Sequence, residues 1–479
     1  MPVNLLKTSV MTVCAISLLS ACTTPSAIKI ERNNLELPSN WLAQIQSSPN
    51  ETNLKNQDWL QQVITLDVKS LIDMALEKNF TLQQQAYALE ETKQRLIANG
   101  ANFWPSLDFG LNTGHRHSSI TDTGADSSGL NISASYELDV WGKLSAQEQQ
   151  LNLTYQSQKI QFELQKTTLI KNVVLAWYQL TESQLQFELA EKRLANVKQN
   201  LAVIEAGYES GLNSALDVYL SRTELATEQS SLANQSSVLK QRTTALELLI
   251  GHYPKGGLRN TSNTIPKLNN LLALALPSEV ITKNAQLQSE WNNLLASDAG
   301  LAYSHKQRFP SLSFTASTGY SSEGLGDLLS NSLGWSLFAN ISSPIFNAGK
   351  LKANEQAARL KVKQAEQGYL NMLFNVLSSV ENGITENQNL QIRLSASEQA
   401  AKSATLAEQI SFEQYTKGLT NYTTVLNAQS RAFNAQSSLI NLKYQQLVNQ
   451  LQLFVDLGGD FQSYLSNTKQ STNALSGEQ

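Results

Sequence analysis

Few residues in this chain have both the type and the spacing that catalysis or metal binding requires. The histidines are His115, His117, His252 and His305. Of these only His115 and His117 pair, as alternate residues that would share one face of a strand. They lack a third ligand and open a stretch rich in Ser, Thr, Asp and Gly, so a surface loop is the simpler account of them than a metal site. No Gly-rich phosphate loop, nucleophile elbow or Cys/His cluster occurs. The chain therefore reads as a non-enzyme, with no cofactor and no metal centre. Its formal net charge of −4, with 16% charged residues, gives no basic footprint for nucleic acid. Surface polarity is carried mainly by Gln, Asn, Ser and Thr.

The residue with definite covalent chemistry is Cys22. Lys7 supplies a positive start, Val10–Leu19 is a short apolar run, and Leu19-Ser20-Ala21-Cys22 has the small residues of a bacterial lipobox. The Cys22 thiolate is the atom that takes a diacylglyceryl group before cleavage; the other reading is an ordinary signal peptide with an incidental Cys. The apolar run is too short to span a bilayer. Cys14 leaves with residues 1–21, so the processed chain keeps no pair for a disulfide. Thr23, not Asp, follows Cys22, which predicts outer-membrane rather than inner-membrane placement. The lipid is an anchor, since more than one acyl chain holds firmly.

Two stretches position everything else. In Leu130–Leu144, Leu130, Ile132, Ala134, Tyr136 and Leu138 alternate with Asn131, Ser133, Ser135, Glu137 and Asp139. In Trp335–Leu351, Trp335, Leu337, Ala339 and Ile341 alternate with Ser336, Asn340 and Ser342. Period-two patterning predicts strands with different surroundings on their two faces. Each runs into Gly-Lys-Leu, at Gly142 and Gly349, where a residue without Cβ permits a sharp change of direction before a long helix. Ser106–Asn112 alternates as well, and His115–Ser128 is expected as the loop between two antiparallel strands.

Helical periodicity covers Leu66–Asn99, then Lys143–Ala206 and Leu212–Ile250, neither of which contains Gly or Pro. A helix over the first of these long runs would reach about 95 Å. Gly207–Gly211 is expected to make the reversal. The second half retraces the first. Pro105-Ser106-Leu107 recurs as Pro310-Ser311-Leu312 at an offset of 205, and Tyr208, Gly211 and Leu212 recur as Tyr415, Gly418 and Leu419 at 207. A constant offset over so long a span signals duplication. The predicted organisation is a signal peptide at 1–21, an irregular tether at 22–65, a first repeat at 66–255 and a linker at 256–276. A second repeat at 277–460 and a polar tail at 461–479 complete it.

Each repeat carries two strands, each with an apolar face of membrane-spanning length. Four strands cannot close a barrel, and an open edge in lipid leaves backbone groups unsatisfied at several kcal/mol each. Strands must come from other copies; three copies supply twelve. Trp104, Trp141, Tyr320 and Trp335 stand at strand ends, where a membrane-interface girdle belongs. The fold class is thus mainly α, with long antiparallel helical hairpins and four strands per chain contributing to a trimeric twelve-strand membrane β-barrel.

The lipobox, the junctions Tyr136-Glu137-Leu138-Asp139-Val140-Trp141-Gly142 and Pro344-Ile345-Phe346-Asn347-Ala348-Gly349, and the closing Leu457-Gly458-Gly459 resemble the TolC-like outer-membrane efflux proteins. Within that family they resemble the lipoprotein branch, typified by OprM. The resemblance spans roughly Trp59–Gly459. It implies a homotrimeric exit duct of a tripartite efflux or type I secretion system, lodged in outer-membrane lipid and extending into the periplasm. A periplasmic adaptor and an inner-membrane pump would feed it.

The resemblance also implies a periplasmic gate at the hairpin ends, Gly207–Glu224 and Tyr415–Arg431. Asp217 and Tyr415 match positions that link neighbouring hairpins. Asp217 reads equally well as a first-turn acid stabilised by the helix dipole. An arginine of some relatives is Thr420 here, and an acidic pair that constricts their entrance is Thr424 and Asn427. The branch's Arg-Arg-Pro-Asp run is replaced by Thr282-Lys283-Asn284-Ala285. A coiled-coil structural or adhesive lipoprotein without a pore is the alternative. It would become soluble once its acyl chains were removed, whereas a barrel would not.

Overall fold

The structure is a computed structural model that describes residues 28, 38–44, 58–118, 120, 123–258, 264–268 and 277–461. The signal peptide, Cys22 and the polar tail after Phe461 lie outside the described residues. In chain order the helices and strands are α1 (Asp58–Val63), α2 (Leu66–Lys78), α3 (Phe80–Gly100), β1 (Ser106–Ser118), β2 (Thr123–Leu138), α4 (Lys143–Glu209) and α5 (Ala215–Leu249). There follow α6 (Pro277–Lys283), α7 (Ala285–Lys306), β3 (Ser311–Ser322), β4 (Gly334–Ser342), α8 (Lys350–Thr416) and α9 (Tyr422–Asp456).

The duplication extends to element length. Helices α4 and α8 each have 67 residues, and α5 and α9 each have 35. Their ends are fixed by the same backbone devices. Gly211 and Gly418 both sit at φ +72, and Gly251 and Gly458 at +73 and +84, the left-handed region that glycine enters without a Cβ penalty. Leu212 N donates to Gly207 O at 2.8 Å, and Leu419 N to Gln414 O at 2.9 Å, each satisfying a terminal carbonyl of its helix. Gly207 itself is helical, so the reversal begins later than its residue type suggests.

The helical run Leu66–Asn99 is broken in two. Asn79 caps the junction: its Oδ1 accepts from Leu82 N at 2.9 Å and its Nδ2 donates to Leu249 O at 2.9 Å. The repeat does the same, with Asn284 Nδ2 donating to Asp456 O at 3.0 Å. An asparagine side chain that competes with the helix ladder thus ties each short helix to the end of the long one.

The chain divides into two compact units. The first gathers Tyr87–Ile160 and Gln286–Met372; the second gathers Glu36–Ala86, Gln161–Ala285 and the chain from Leu373 on. In the second unit Leu60, Val63, Val68 and Ile72 of α1 and α2 bury against Ile170, Val174 and Trp177 of α4, with Leu246, Leu447 and Leu451 completing the core. Tyr178 Oη donates to Val63 O at 2.8 Å. Described parts of the stretch 22–65 are packed rather than free. Trp59 and Leu60 give α1 an apolar face that joins this core, and Trp41 is buried, with Leu42 N on Glu381 Oε1 at 2.8 Å. Within the described residues of the linker, the backbone N–H groups of Gly256, Gly257 and Leu258 donate to Glu247, and Leu268 is buried.

The first unit contains one antiparallel sheet in the order β1-β2-β3-β4. Its helices share a core of Leu294, Leu301 and Val362, and Trp291 packs edge-on against Tyr369 at 5.3 Å. Residues His115–Ser118 and Thr123–Ser128 of the expected loop are paired strand. Strand pairing continues from Asn112↔Gly129 to Ser118↔Thr123, because cross-strand glycines and hydroxyls keep the ribbon narrow and paired. The strand-to-helix junctions are short connections rather than direct continuations. Asp139–Gly142 separates β2 from α4, and residues 343–349 separate β4 from α8.

Candidate functional site

The sheet's register sorts its side chains into two chemically distinct faces. Leu107↔Ala134, Phe109↔Ile132 and Leu111↔Leu130 are cross-strand pairs on one side. The same side continues through Leu130↔Tyr320, Tyr136↔Phe314 and Leu138↔Leu312. It ends with Trp335↔Thr318, Leu337↔Ala316, Ala339↔Phe314 and Ile341↔Leu312. The opposite side is Asp108, Gly110, Asn112, Asn131, Ser133, Ser135, Ser313, Thr315, Ser317, Ser336 and Asn340, with Phe338 its one large apolar member. A one-residue slip would exchange the faces, so the alternation fixes the register.

Exposure agrees with a second solvent. Phe109, Leu111, Leu337 and Ile341 lie largely exposed on the apolar side. The outer edges of β1 and β4 have no partner strand among the described residues. Beyond Leu111 and Leu130 the same side turns polar at Thr113, Ser128, His115 and Asp126, so the β1–β2 ribbon outlasts its apolar belt. His115 Nδ1 lies 2.6 Å from Asp126 Oδ1 at an exposed position, a pairing across the ribbon.

Trp104 and Trp141 flank the helix end of the sheet, while Tyr320 and Trp335 stand toward the hairpin end. Trp104 and Trp335 are exposed. Trp141 is engaged otherwise: its indole N–H donates to Pro310 O at 2.6 Å and its ring stacks on Phe309 at 5.6 Å. The junction glycines are required by backbone geometry, Gly142 at φ +70 and Gly349 at +84. Asp139 then caps α4 by accepting from Leu144 N, Ser145 N and Ser145 Oγ. Burial raises the Asp139 carboxyl, but the Ser145 and Leu144 hydrogen bonds and the Lys306 charge prevail and hold it below the usual range.

In the other unit, the tips of the two hairpins meet. Ile204, Val218, Tyr422 and Val425 form a buried cluster, with Phe412, Tyr415 and Leu426 packed on it. Asp217 is N3 of a capping box: its N–H donates to Ser214 Oγ at 3.2 Å, and its carboxylate accepts from Ser214 N at 3.4 Å. The same Oδ2 lies 3.5 Å from the Tyr415 hydroxyl, at the long limit of a hydrogen bond. One carboxylate oxygen of Asp217 thus both closes the capping box and faces the Tyr415 hydroxyl. Tyr415 is pushed up to about 12, by burial first and then by the Asp217 carboxylate, so its phenol keeps the proton it donates.

Thr420 is half-buried in the second turn. Thr424 is exposed and occupies the position equivalent to Asp217, its N–H on Asn421 Oδ1 at 3.0 Å. Asn427 is exposed one turn further on. Sequence reasoning missed Arg193, on α4 well before the tip. It is the central cation of a buried set with Glu224 and Glu228, at 2.7 and 2.8 Å. In sequence it is an Arg beside Lys192, with its acidic partners at i+31 and i+35, which no local pattern singles out.

A sheet with one apolar and one polar face, two open edges and long paired helices defines a membrane-spanning channel subunit that must share its sheet. The chain matches the outer membrane efflux protein family over residues 71–252 and 276–459, so both repeats carry the family domain and the chain belongs to that family. It is an outer-membrane channel of an efflux system. It is 28% identical over 418 residues, 86% of this chain and 90% of that protein, to the cation efflux system protein CusC of Escherichia coli O6:H1. It is 30% identical over 398 residues, 81% of this chain and 84% of that protein, to the solvent efflux pump outer membrane protein SrpC of Pseudomonas putida. The Campylobacter jejuni CmeC outer membrane channel shares the fold at a TM-score of 0.82 and 18% identity, over 91% of this chain and 95% of that one.

Proposed function

We propose that the chain assembles as a homotrimer whose twelve strands close one barrel in the outer membrane. The long hairpins form the periplasmic part of a passive exit duct, without catalysis. The observation that carries this reading is the four-strand sheet with unpaired β1 and β4 edges and an apolar side. In lipid each open edge costs several kcal/mol per unpaired group, a penalty removed when the β1 edge of one copy pairs with the β4 edge of the next. The apolar side then meets lipid and the Ser/Asn/Gly side lines the bore. Cross-linking in mild detergent should give a trimer; a folded monomer inserted in bilayers would refute the reading.

A periplasmic adaptor and an inner-membrane pump feed the duct in this reading. Relatives are named for cargoes as unlike as cations and solvents, which supports a duct tolerant of its cargo with selection made upstream. The hairpin tips form the closure, with Asp217 and Tyr415 as its linking pair and no acidic ring at Thr424 and Asn427. Cys22 carries the acyl anchor, and mass spectrometry of the mature N-terminus reads this directly.

A further inference from the structure

The polar contacts at the tips are few: the Asp217–Tyr415 contact is long, and Thr424 and Asn427 are exposed. Arg193 differs on every count. Its side chain is 12% exposed, and its guanidinium faces Glu224 and Glu228 of α5, the latter side chain only 6% exposed. On its other side it reaches α9. Nη1 donates to Gln429 O at 3.3 Å, and the guanidinium carbon lies 4.5 Å from the centre of the Phe433 ring. Beside it is a cavity of about 140 Å³ lined by Arg193, Asn196, Glu408, Gln429, Phe433 and Gln436. Gln429 is itself buried, and its Oε1 has no hydrogen-bond partner.

We propose that Arg193 is the latch of the closed entrance, a positioning residue that ties the first hairpin to α9 of the second. This rests on the reading of the chain as a duct closed at its hairpin tips. The two sets of contacts are unequal. Those to α5 are a charge-assisted hydrogen bond to Glu224 and an ion pair with the buried Glu228, so leaving them would strand two carboxylates. Those to α9 are one bond to a helix carbonyl and one cation–π stack, which break without stranding a charge. When α9 shifts, Arg193 stays on Glu224 and Glu228 and releases Gln429 and Phe433 together. That gives two discrete arrangements of the same side chain, one on α9 and one off it. The cavity beside Gln429 leaves space for that shift, since its lining lacks packing atoms on one side.

The device belongs to one hairpin only. The positions equivalent to Arg193, Glu224 and Glu228 in the second repeat are Ala400, Arg431 and Ala435. Duplication alone therefore does not explain it. A guanidinium is also needed in particular, because Lys offers no planar face to stack on Phe433.

The test is single-channel recording of the full-length trimer, with two variants that treat the charge differently. Arg193→Met keeps the apolar stem but strands the carboxylates; Arg193→Met with Glu224→Gln and Glu228→Gln leaves none stranded. Both should raise the open fraction roughly tenfold, equivalent to about 1.4 kcal/mol of closed-state preference. Phe433→Leu should raise it in the same direction by less, and it keeps the test alive where the triple variant does not fold. Spin labels at Leu212→Cys and Leu419→Cys, diluted with unlabelled chains, should report a longer tip-to-tip distance in each variant. A merely structural role would lower thermal stability without moving that distance. Wild-type channels alongside variants of unchanged open fraction and unchanged distance overturn the latch. Absence of channels in the wild type overturns the proposed duct instead.

Discussion

The two hairpin tips are built on one backbone and carry different chemistry. Gly211 and Gly418 share a φ of +72, the helices that flank them have matching lengths, and each reversal closes with equivalent hydrogen bonds. The side chains then diverge. In the first tip Gly207 leaves room for the Asn213 amide, which donates to Ile204 O at 3.0 Å; a Cβ there would lie 2.2 Å from that nitrogen. The second tip has Gln414 and Thr420 at those places. Just behind the first tip, Arg222 forks onto Glu205 at 2.8 and 3.0 Å in a half-exposed ion pair. The equivalent residues of the second are Gln429 and Phe412, which turn inward. The first tip is polar and self-contained, while the second supplies the apolar surface on which the pair closes. Duplication kept what fixes the turn and released what makes the contact.

The largest effect should come from erasing that difference at Tyr422. It is fully buried between the tips and lies 5.4 Å from the Tyr415 ring, whereas its equivalent in the first repeat is Ala215. Tyr422→Ala makes the second tip like the first and removes the centre of the shared cluster. The expected cost is about 3–5 kcal/mol of local stability. Limited proteolysis at the tips and single-channel recording should show a loosened, more open entrance. Ala215→Tyr, on the exposed side of the first tip, should change neither. Equal tolerance of both substitutions would mean that the second tip does not carry the closure.

Much of this was legible in the sequence, for physical reasons that also set the limit. Strand periodicity, the junction glycines and the repeat offset are local patterns, and the sheet faces, Gly142 and Gly349 follow from them. Asn79 lies inside the expected helical run Leu66–Asn99, and its role as a helix break was not visible there. Its amide reaches Leu249 O far along the chain, and no local pattern encodes that contact. The buried α1 was hidden inside a polar stretch, because only Trp59, Leu60 and Val63 face the core. Asp217 and Tyr415 came from resemblance; the structure shows them 3.5 Å apart, and their role in closure belongs to the proposed function. Arg193 was out of reach because its partners lie 31 to 240 residues away and share no periodicity with it.

A smaller effect separates the two readings of Asp217. Asp217→Ala removes both the capping box and the acceptor for Tyr415, while Tyr415→Phe removes only the hydroxyl. Loss of an N-cap interaction costs about 1 kcal/mol. A hydrogen bond at the long limit of its range lies at the low end of about 0.5–1.5 kcal/mol. Asp217→Ala should therefore raise conductance more than Tyr415→Phe, and the double variant should match Asp217→Ala because the second change removes nothing further. Additive effects would place the two residues in separate contacts. Thr424→Asp adds to the second tip the acid that the first already has, and it should make the entrance more sensitive to divalent cations than the wild type.

The smallest effect is that of pH, and its sign discriminates best between the hairpins. Burial raises the Glu228 carboxyl above its ordinary 4.5, with Arg193 pulling it down and Glu224 pushing it up. Burial also raises Glu408, on α8, against Arg193 and the Asn196 hydrogen bond. Around them stand Lys192 and Arg193 on α4 and Glu224 on α5, while α9 presents only the uncharged Gln429, Phe433 and Gln436. A carboxyl whose pKa is raised in the closed state binds its proton more tightly there than in a state that exposes it to water. Acid therefore favours closure. The stabilisation is complete below the ordinary carboxylate value and is lost as pH rises through the raised one. Open fraction should fall as pH is lowered from neutral toward 4.5, and Glu408→Gln should flatten the curve, whereas Glu228, which keeps Arg193 in both arrangements, should contribute little. Arg193→Met should steepen it, because the carboxylates then lose the charge that held their pKa values down. An open fraction that does not fall with acid would mean that opening does not expose Glu408, and the moving surface would then have to be sought on the first hairpin.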